Sequence, residues 1–327
     1  MPSVRTRWAP LTVAAVLAVA AIGFYLAGWP AERSSPPAQP GRVSRFDREP
    51  EVELLIQPSG ERRSLPIEEY VAGVVAGEMW ENWPQNAYAA QAIIARTFTL
   101  ELMSRGILRQ RYGADVTTDP EEAQAYNPVR ITPVIRRAVD STRGQVITYD
   151  GRYARTWFHA YSGGQTTTPQ EGLGLSGQPP PYLRPVRLPP NPLVPEAFGR
   201  WRAEFAEPEI REALARKGIR VGQIQAMQVM AKGPTGRITE VEVRGSQSTR
   251  RLSGNDLRLA LGSERMRSTL AHTFAFSGGR LVVEGTGSGH GVGLSQWDAL
   301  LLARQNQTPQ QIVQTFYPGV RIERLWR

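Results

Sequence analysis

The pattern of apolar and polar positions divides the chain before any single residue does. Residues 11–29 (LTVAAVLAVAAIGFYLAGW) carry no charge, a run long enough to cross a hydrocarbon core as one helix. Arg5 and Arg7 precede it, Glu32 and Arg33 follow it, and Trp8 and Trp29 flank it. That bias predicts a cytoplasmic tail at 1–10, a signal anchor at 11–29 and an extracytoplasmic body. A cleaved signal peptide shares the same basic start and apolar centre, but no clean A-x-A site ends this run. Residues 30–48, with SSPPAQPG at 34–41, read as a Pro-rich spacer, and 49–327 as the folded body.

Within the body, residues 51–56 suit a short strand. Pro66, followed by Glu68 and Glu69, opens a helix over about 66–79. A second helix, rich in alanine, spans about 86–104 and is closed by Gly106. Residues 145–162 read as two strands around an Asp150–Gly151 turn, running into Gly163 and Gly164. The many prolines of 176–195 mark a connection, the best internal boundary between two lobes. Beyond it, the pattern predicts a helix near 208–217, a strand at 238–243 and a helix starting at Ser253 or Asn255. After the Gly-rich GTGSGHGVGLS come a helix of QWDALLLARQ character and another near 309–316 capped by Thr308. Together these predict an α+β fold of mixed helices and antiparallel strands, in two lobes with a groove.

Composition narrows the chemistry. A net charge of +9 points to anionic partners or to a solvated, arginine-rich surface, and no nucleic-acid signature accompanies it. With no cysteine, disulfides, thiolate metal sites and cysteine nucleophiles are excluded. Three histidines, His159, His272 and His290, have no HExxH spacing. The glycines of GTGSGHG lack the surrounding βαβ unit of a dinucleotide site. Ser-x-x-Lys and Gly-x-Ser-x-Gly nucleophile motifs are missing too.

One carboxylate stands out. At about 100° per residue, Ile67, Val71, Val74 and Val75 share a sector of the first helix, and Glu78 falls in its middle. A carboxyl on a burying face, near the negative end of the helix dipole, has its pKa raised and can serve as a general acid. A helix end that frays into solvent fits the same periodicity. In the second helix Gln91, Ile94 and Phe98 share a face with Arg96 roughly opposite, on a solvated face or binding an anion. His159 precedes Ser162-Gly163-Gly164, where bare backbone can approach a ligand, and His290 sits among glycines ahead of a helix. A structural strand histidine and a tight turn account for these equally well.

Four blocks in order, LPIEEYVAGVVAGEMW, AYAAQAIIARTFTL, TYDGRYARTWFHAYSGGQTTT and GSGHGVGLSQWDALLLARQNQTPQQIVQTFYPGV, resemble the stage II sporulation protein D (SpoIID) family. The resemblance is loosest between about 189 and 276. It implies a lytic transglycosylase acting on peptide-stripped peptidoglycan strands, in septal wall thinning and engulfment during endospore formation. Its acid/base glutamate corresponds to Glu78. Arg96, His159, Ser162, Gly163, Gly164, His290, Ser295 and Gln296 are the implied substrate-binding positions. It also implies a peptidoglycan amidase as a possible partner, and a noncatalytic amidase-enhancing role as the alternative function. Some relatives bind zinc through cysteine and histidine near the SGG block; lacking cysteine, this chain is expected to use no metal or other cofactor. Glycine is common in the family where Asp298 stands.

Overall fold

A computed structural model describes residues 40–120 and 122–327. The expected tail and anchor, and most of the linker, lie outside the described residues. Among the described residues no helix is long and apolar enough to cross a membrane.

Strand β1 (Glu51–Ile56) pairs antiparallel with β2 (Glu61–Pro66), and parallel with β3 (Val116–Thr117) on its other edge. The chain passes from β2 directly into helix α1 (Ile67–Glu78), then into α2 (Gln85–Arg105). Prolines 66 and 84 precede the two helices and set extended backbone there, as expected for residues that cannot donate in a first turn. Gly106, in the left-handed region at φ 64°, ends α2. Strand β4 (Gln145–Tyr149) and β5 (Arg152–Tyr153) turn about Asp150 and Gly151, both at positive φ, the hairpin chemistry the Asp-Gly pair predicts. β4 also pairs antiparallel with Arg321–Arg324. β6 (Phe158–His159) pairs parallel with Leu294–Ser295.

Two further three-stranded antiparallel sheets lie between. One joins Ile224–Lys232, Ile238–Gly245 and Thr249–Ser253; the other has Arg280–Gly285 between Ala271–Ser277 and Trp201–Ala206. Mixed helices with open antiparallel sheets make the chain α+β. Helices Glu207–Arg216, Gly254–Leu261, Gln296–Arg304 and Pro309–Phe316 occupy the stretches where the pattern predicts helices. Ser253 caps the second of these and Thr308 forms a full capping box on the last.

Burial divides the molecule into two apolar cores. The larger runs from Val52 to Phe198 and resumes from Val292 to Trp326. The smaller lies between, from Trp201 to Val283. The second core therefore interrupts the first, and the chain after Val292 packs back against α2 and β4.

Helix α2 departs most from expectation. It is buried on every side from Ala87 to Leu102, in contact with α1, β4 and the helices at 133–141, 296–304 and 309–316. The face expected to be solvated at Arg96 does not exist, because α2 is the axis of the larger core.

Candidate active site

Helix α1 ends where its carboxylate begins. Met79 adopts extended backbone, so Glu78 is the last helical residue, yet only 4% of it is exposed. What covers it is the loop after β3. Asn127 N–H donates to the Gly73 carbonyl at 2.9 Å, and the Tyr126 ring lies against Gly73 and stacks on Tyr70 at 5.5 Å between centroids. A Cβ at position 77 would stand 2.5 Å from the Ala125 carbonyl oxygen; glycine there is what lets the loop reach the carboxylate. Ala125 N–H then donates to Glu78 Oε1 at 2.7 Å. Among the described residues no other donor reaches the carboxylate and no cation pairs with it. Burial pushes its pKa up to about 8, with the Ala125 hydrogen bond opposing. Such a group holds its proton at neutral pH.

The C-terminal segment supplies the other half. Parallel pairing sets Ser295 opposite His159. Ser162 N–H donates to Ser295 Oγ at 3.0 Å, and both serine hydroxyls donate to Asp298 Oδ2, at 2.7 Å from Ser162 and 2.5 Å from Ser295. Asn191 Nδ2 donates to Asp298 Oδ1 at 3.3 Å, and Gly164 N–H to Ser162 Oγ at 3.1 Å. Burial raises the Asp298 pKa, and these hydrogen bonds hold it back. Gly163 and Gly164 both stand at positive φ. Gln296 Nε2 donates to the Glu78 carbonyl at 3.2 Å, so the helix that begins at Gln296 abuts the end of α1. Around that junction Trp83 and Trp297 lie 5.0 Å apart, and Trp80, 39% exposed, packs edge-on to Phe198 at 5.8 Å.

His159 and His290 are both buried, with ring centroids 5.5 Å apart. The Val292 carbonyl, 3.2 Å from His159 Nδ1, can only accept, so that nitrogen carries the proton. Val292 N–H donates to His290 Nδ1 at 3.0 Å, which leaves the His290 proton on Nε2. Burial, then the His290 ring and Arg237, holds the His159 pKa well below its ordinary value; burial, then Arg258, takes His290 to about 3. Both rings are neutral. Among the described residues no group of three or more His, Asp or Glu side chains is placed to hold a metal.

Of the expected binding positions Gln296 touches Glu78, at its backbone carbonyl, while His159, Ser162, Gly164, His290 and Ser295 are linked to one another through Asp298, the β6 pairing and the histidine pair. The structure does not bring Arg96 to either group. Arg96 is fully buried; its Nε and Nη2 donate to Glu68, and its Nη1 to the carbonyls of Gln145 and Ala92. Glu68 accepts further from Gly144 N–H and Trp326 Nε1–H, at 2.9 and 3.1 Å. All three nitrogens of Arg96 are spent inside the protein, which corrects its expected role as a substrate-binding or anion-binding residue. Depressions lined by Glu49, Pro66 and Arg143 lie at the opposite end of α1, about 16–18 Å from Glu78 at 1.5 Å per residue. Sequence reasoning missed the covering loop, the acceptor role of Asp298 and the Trp80, Trp83, Phe198 and Trp297 cluster. The tryptophans of GEMWENW and SQW were the available signal for the last.

A family model described as a stage II sporulation protein matches residues 59–149, which hold α1 and α2, and one described as a domain of unknown function matches 194–293. The second range brackets the smaller core. An uncharacterised protein of Brachyspira hyodysenteriae is 29% identical over 79% of this chain and 67% of its own. The amidase enhancer of Bacillus subtilis is 21% identical over 76% of this chain and 40% of its own. Stage II sporulation protein D of Bacillus amyloliquefaciens is 31% identical over 79% of this chain and 74% of its own. With that extent of identity, and with the sporulation-protein match falling on the helices that carry Glu78, the chain belongs to the stage II sporulation protein D family.

Proposed function

We propose that this protein is a lytic transglycosylase that cleaves the MurNAc–GlcNAc bond of peptide-stripped peptidoglycan strands. In this reading it acts outside the cell membrane, on a single N-terminal anchor, in the septal wall thinning and engulfment of sporulation. Membership of the family supports the cell-wall role. The observation that carries the reaction is Glu78: a buried carboxyl whose pKa burial pushes up to about 8, with one backbone hydrogen bond and no cation beside it among the described residues.

Glu78 protonates the glycosidic oxygen as the bond to the anomeric carbon breaks. The substrate's own C6 hydroxyl attacks that carbon, and the Glu78 carboxylate takes the hydroxyl proton, leaving a 1,6-anhydro end. One carboxyl serves both steps because no water is activated. A hydrolase needs a second free carboxylate, and Asp298 does not qualify: its oxygens are occupied by Ser162, Ser295 and Asn191. Trp80, partly exposed two residues after Glu78, offers an aromatic face to a sugar ring.

The test is to treat amidase-stripped glycan strands with the full chain and analyse the ends by mass spectrometry. Anhydro-muramic ends from the wild type, and none from Glu78→Gln, are expected; reducing ends would replace the transglycosylase by a hydrolase. The amidase-enhancer relative supports a second reading, in which the domain modifies a cell-wall amidase without catalysis. Absence of any cleavage together with faster amidase turnover would select it.

A further inference from the structure

Two arginines are buried where the smaller core meets the larger, and among the described residues neither guanidinium forms an ion pair. Arg237 directly precedes the strand Ile238–Gly245, and Arg258 lies in the helix Gly254–Leu261; they are 0% and 1% exposed. Arg237 Nη2 donates to the carbonyls of Ser162 and Gln165, at 2.7 and 3.2 Å, while its Nε and Nη1 meet no partner. Arg258 Nε donates to the Arg267 carbonyl at 3.1 Å, and its Nη2 meets none. No carboxylate among the described residues accepts from either guanidinium. Glu171 attracts Arg237 electrostatically, but its oxygens accept from Thr167, Thr235 and the backbone N–H of Arg237.

His290 joins them. Its Nε2 carries the proton; the Phe158 carbonyl lies near enough to favour the charged ring but forms no well-aligned hydrogen bond with it. The backbone beside it packs on Arg237: a Cβ at Gly291, where φ is +84°, would stand 2.5 Å from the Arg237 Cζ. His159 Nε2 is the unpartnered acceptor of the group. The four side chains sense one another's charge, each arginine disfavouring protonation of both imidazoles.

Two buried like charges with one nearby carboxylate, Glu171, that bonds to neither guanidinium are costlier than the same pair fully neutralised, and buried donors left unmade call for an ion or water. Guanidinium forks match oxyanions in geometry as well as charge. We propose that Arg237, Arg258 and His290 form a binding site for one small oxyanion of the phosphate class, at the junction of the two cores. A hydrogen-bearing anion suits the cluster best, since its P–OH donates to His159 Nε2. Near-complete burial excludes a polymer end and favours a free ion. Because Arg237 also holds the Ser162 carbonyl, the ion locks the inserted unit against the SGG segment.

Equilibrium dialysis of the full chain against labelled inorganic phosphate, at constant ionic strength, tests the site. One saturable site per chain is expected, weakened at least tenfold in Arg258→Met. Should that variant fail to fold by circular dichroism, Arg258→Lys, which keeps the charge and loses the fork, is expected to weaken binding several-fold. Crystals grown with millimolar arsenate are expected to show an anomalous peak within hydrogen-bond distance of both guanidinium groups. Absence of saturable binding, ordered water alone in the cluster, or a peak only at molar arsenate (an adventitious ion only) would overturn the proposal. Dialysis does not depend on glycan cleavage, so it succeeds or fails independently of the role of Glu78.

Discussion

The two ends of α1 carry two buried glutamates, Glu68 and Glu78, and the protein treats them in opposite ways. Glu68, 6% exposed, receives Arg96, Gly144 N–H and Trp326 Nε1–H. Glu78, 4% exposed, receives one backbone N–H and no charge. Burial is the same; compensation differs. A buried carboxylate with its full set of donors fixes structure, whereas one left short has its charged form disfavoured and becomes an acid.

The largest test of this contrast is in activity. Glu78→Gln is expected to lower anhydro-product formation about 10²–10⁴-fold, the usual share of a general acid/base, with the folded structure kept because Gln Oε1 still accepts from Ala125. In the folded fraction of a Glu68→Gln variant the rate is expected to stay within a few-fold of wild type. Equal losses of rate in the two folded variants would erase the distinction.

Stability is expected to respond the other way. Arg96→Met strands the Glu68 carboxylate in the core and is expected to cost about 3–5 kcal/mol in urea unfolding. A cost below about 1 kcal/mol would mean that the pair contributes little and that Arg96 is free for another role.

The periodicity of α1 already placed Glu78 on a burying face, and proline, glycine and capping residues marked the ends of α1, α2 and the helix Pro309–Phe316. What sets the chemistry of Glu78 was not legible, because the Ala125 loop meets the helix 47 residues away through the small side of Gly77. Arg96 was misread for a related reason. Its partner Glu68 lies 28 residues back, and a helix buried all round has no apolar stripe from which a solvated face can be read. The return of the chain to the larger core depends on a two-residue parallel bridge between β6 and Leu294–Ser295, too short for any strand pattern.

The third test follows the pH. Folding raises the Glu78 pKa from its ordinary 4.5 to about 8, so the protonated form is the one the fold prefers. Below pH 4.5 the residue is protonated in both states and carries no penalty. As pH rises toward 8 the unfolded chain ionises first, and the native state loses stability until the penalty is complete above 8. Glu78→Gln removes the titration. It is expected to match wild type near pH 4 and to exceed it at pH 9 by on the order of 5 kcal/mol. A stability difference that stays constant with pH would show Glu78 ionised in the folded protein.

Asp298 sharpens the comparison by standing between the two glutamates: three donors, none of them charged. If the number and kind of donors decide what a buried carboxyl does, Asp298 belongs with Glu68 as a positioning group. Its task is to hold the Ser162 and Ser295 hydroxyls, and with them the Gly164 N–H that donates to Ser162. Asp298→Asn keeps the size but replaces one acceptor oxygen with a donor: with its oxygen toward the two serines its NH2 meets the Asn191 NH2, and turned the other way both hydroxyls lose their acceptor. The expected cost is about 1–2 kcal/mol of stability. A rise in KM with kcat within a few-fold of wild type is expected too, because the groups displaced line the site and do not move the proton. A fall in kcat comparable to that of Glu78→Gln, with loss of the alkaline arm of the pH–rate profile, would make Asp298 a second acid and end the single-carboxyl mechanism.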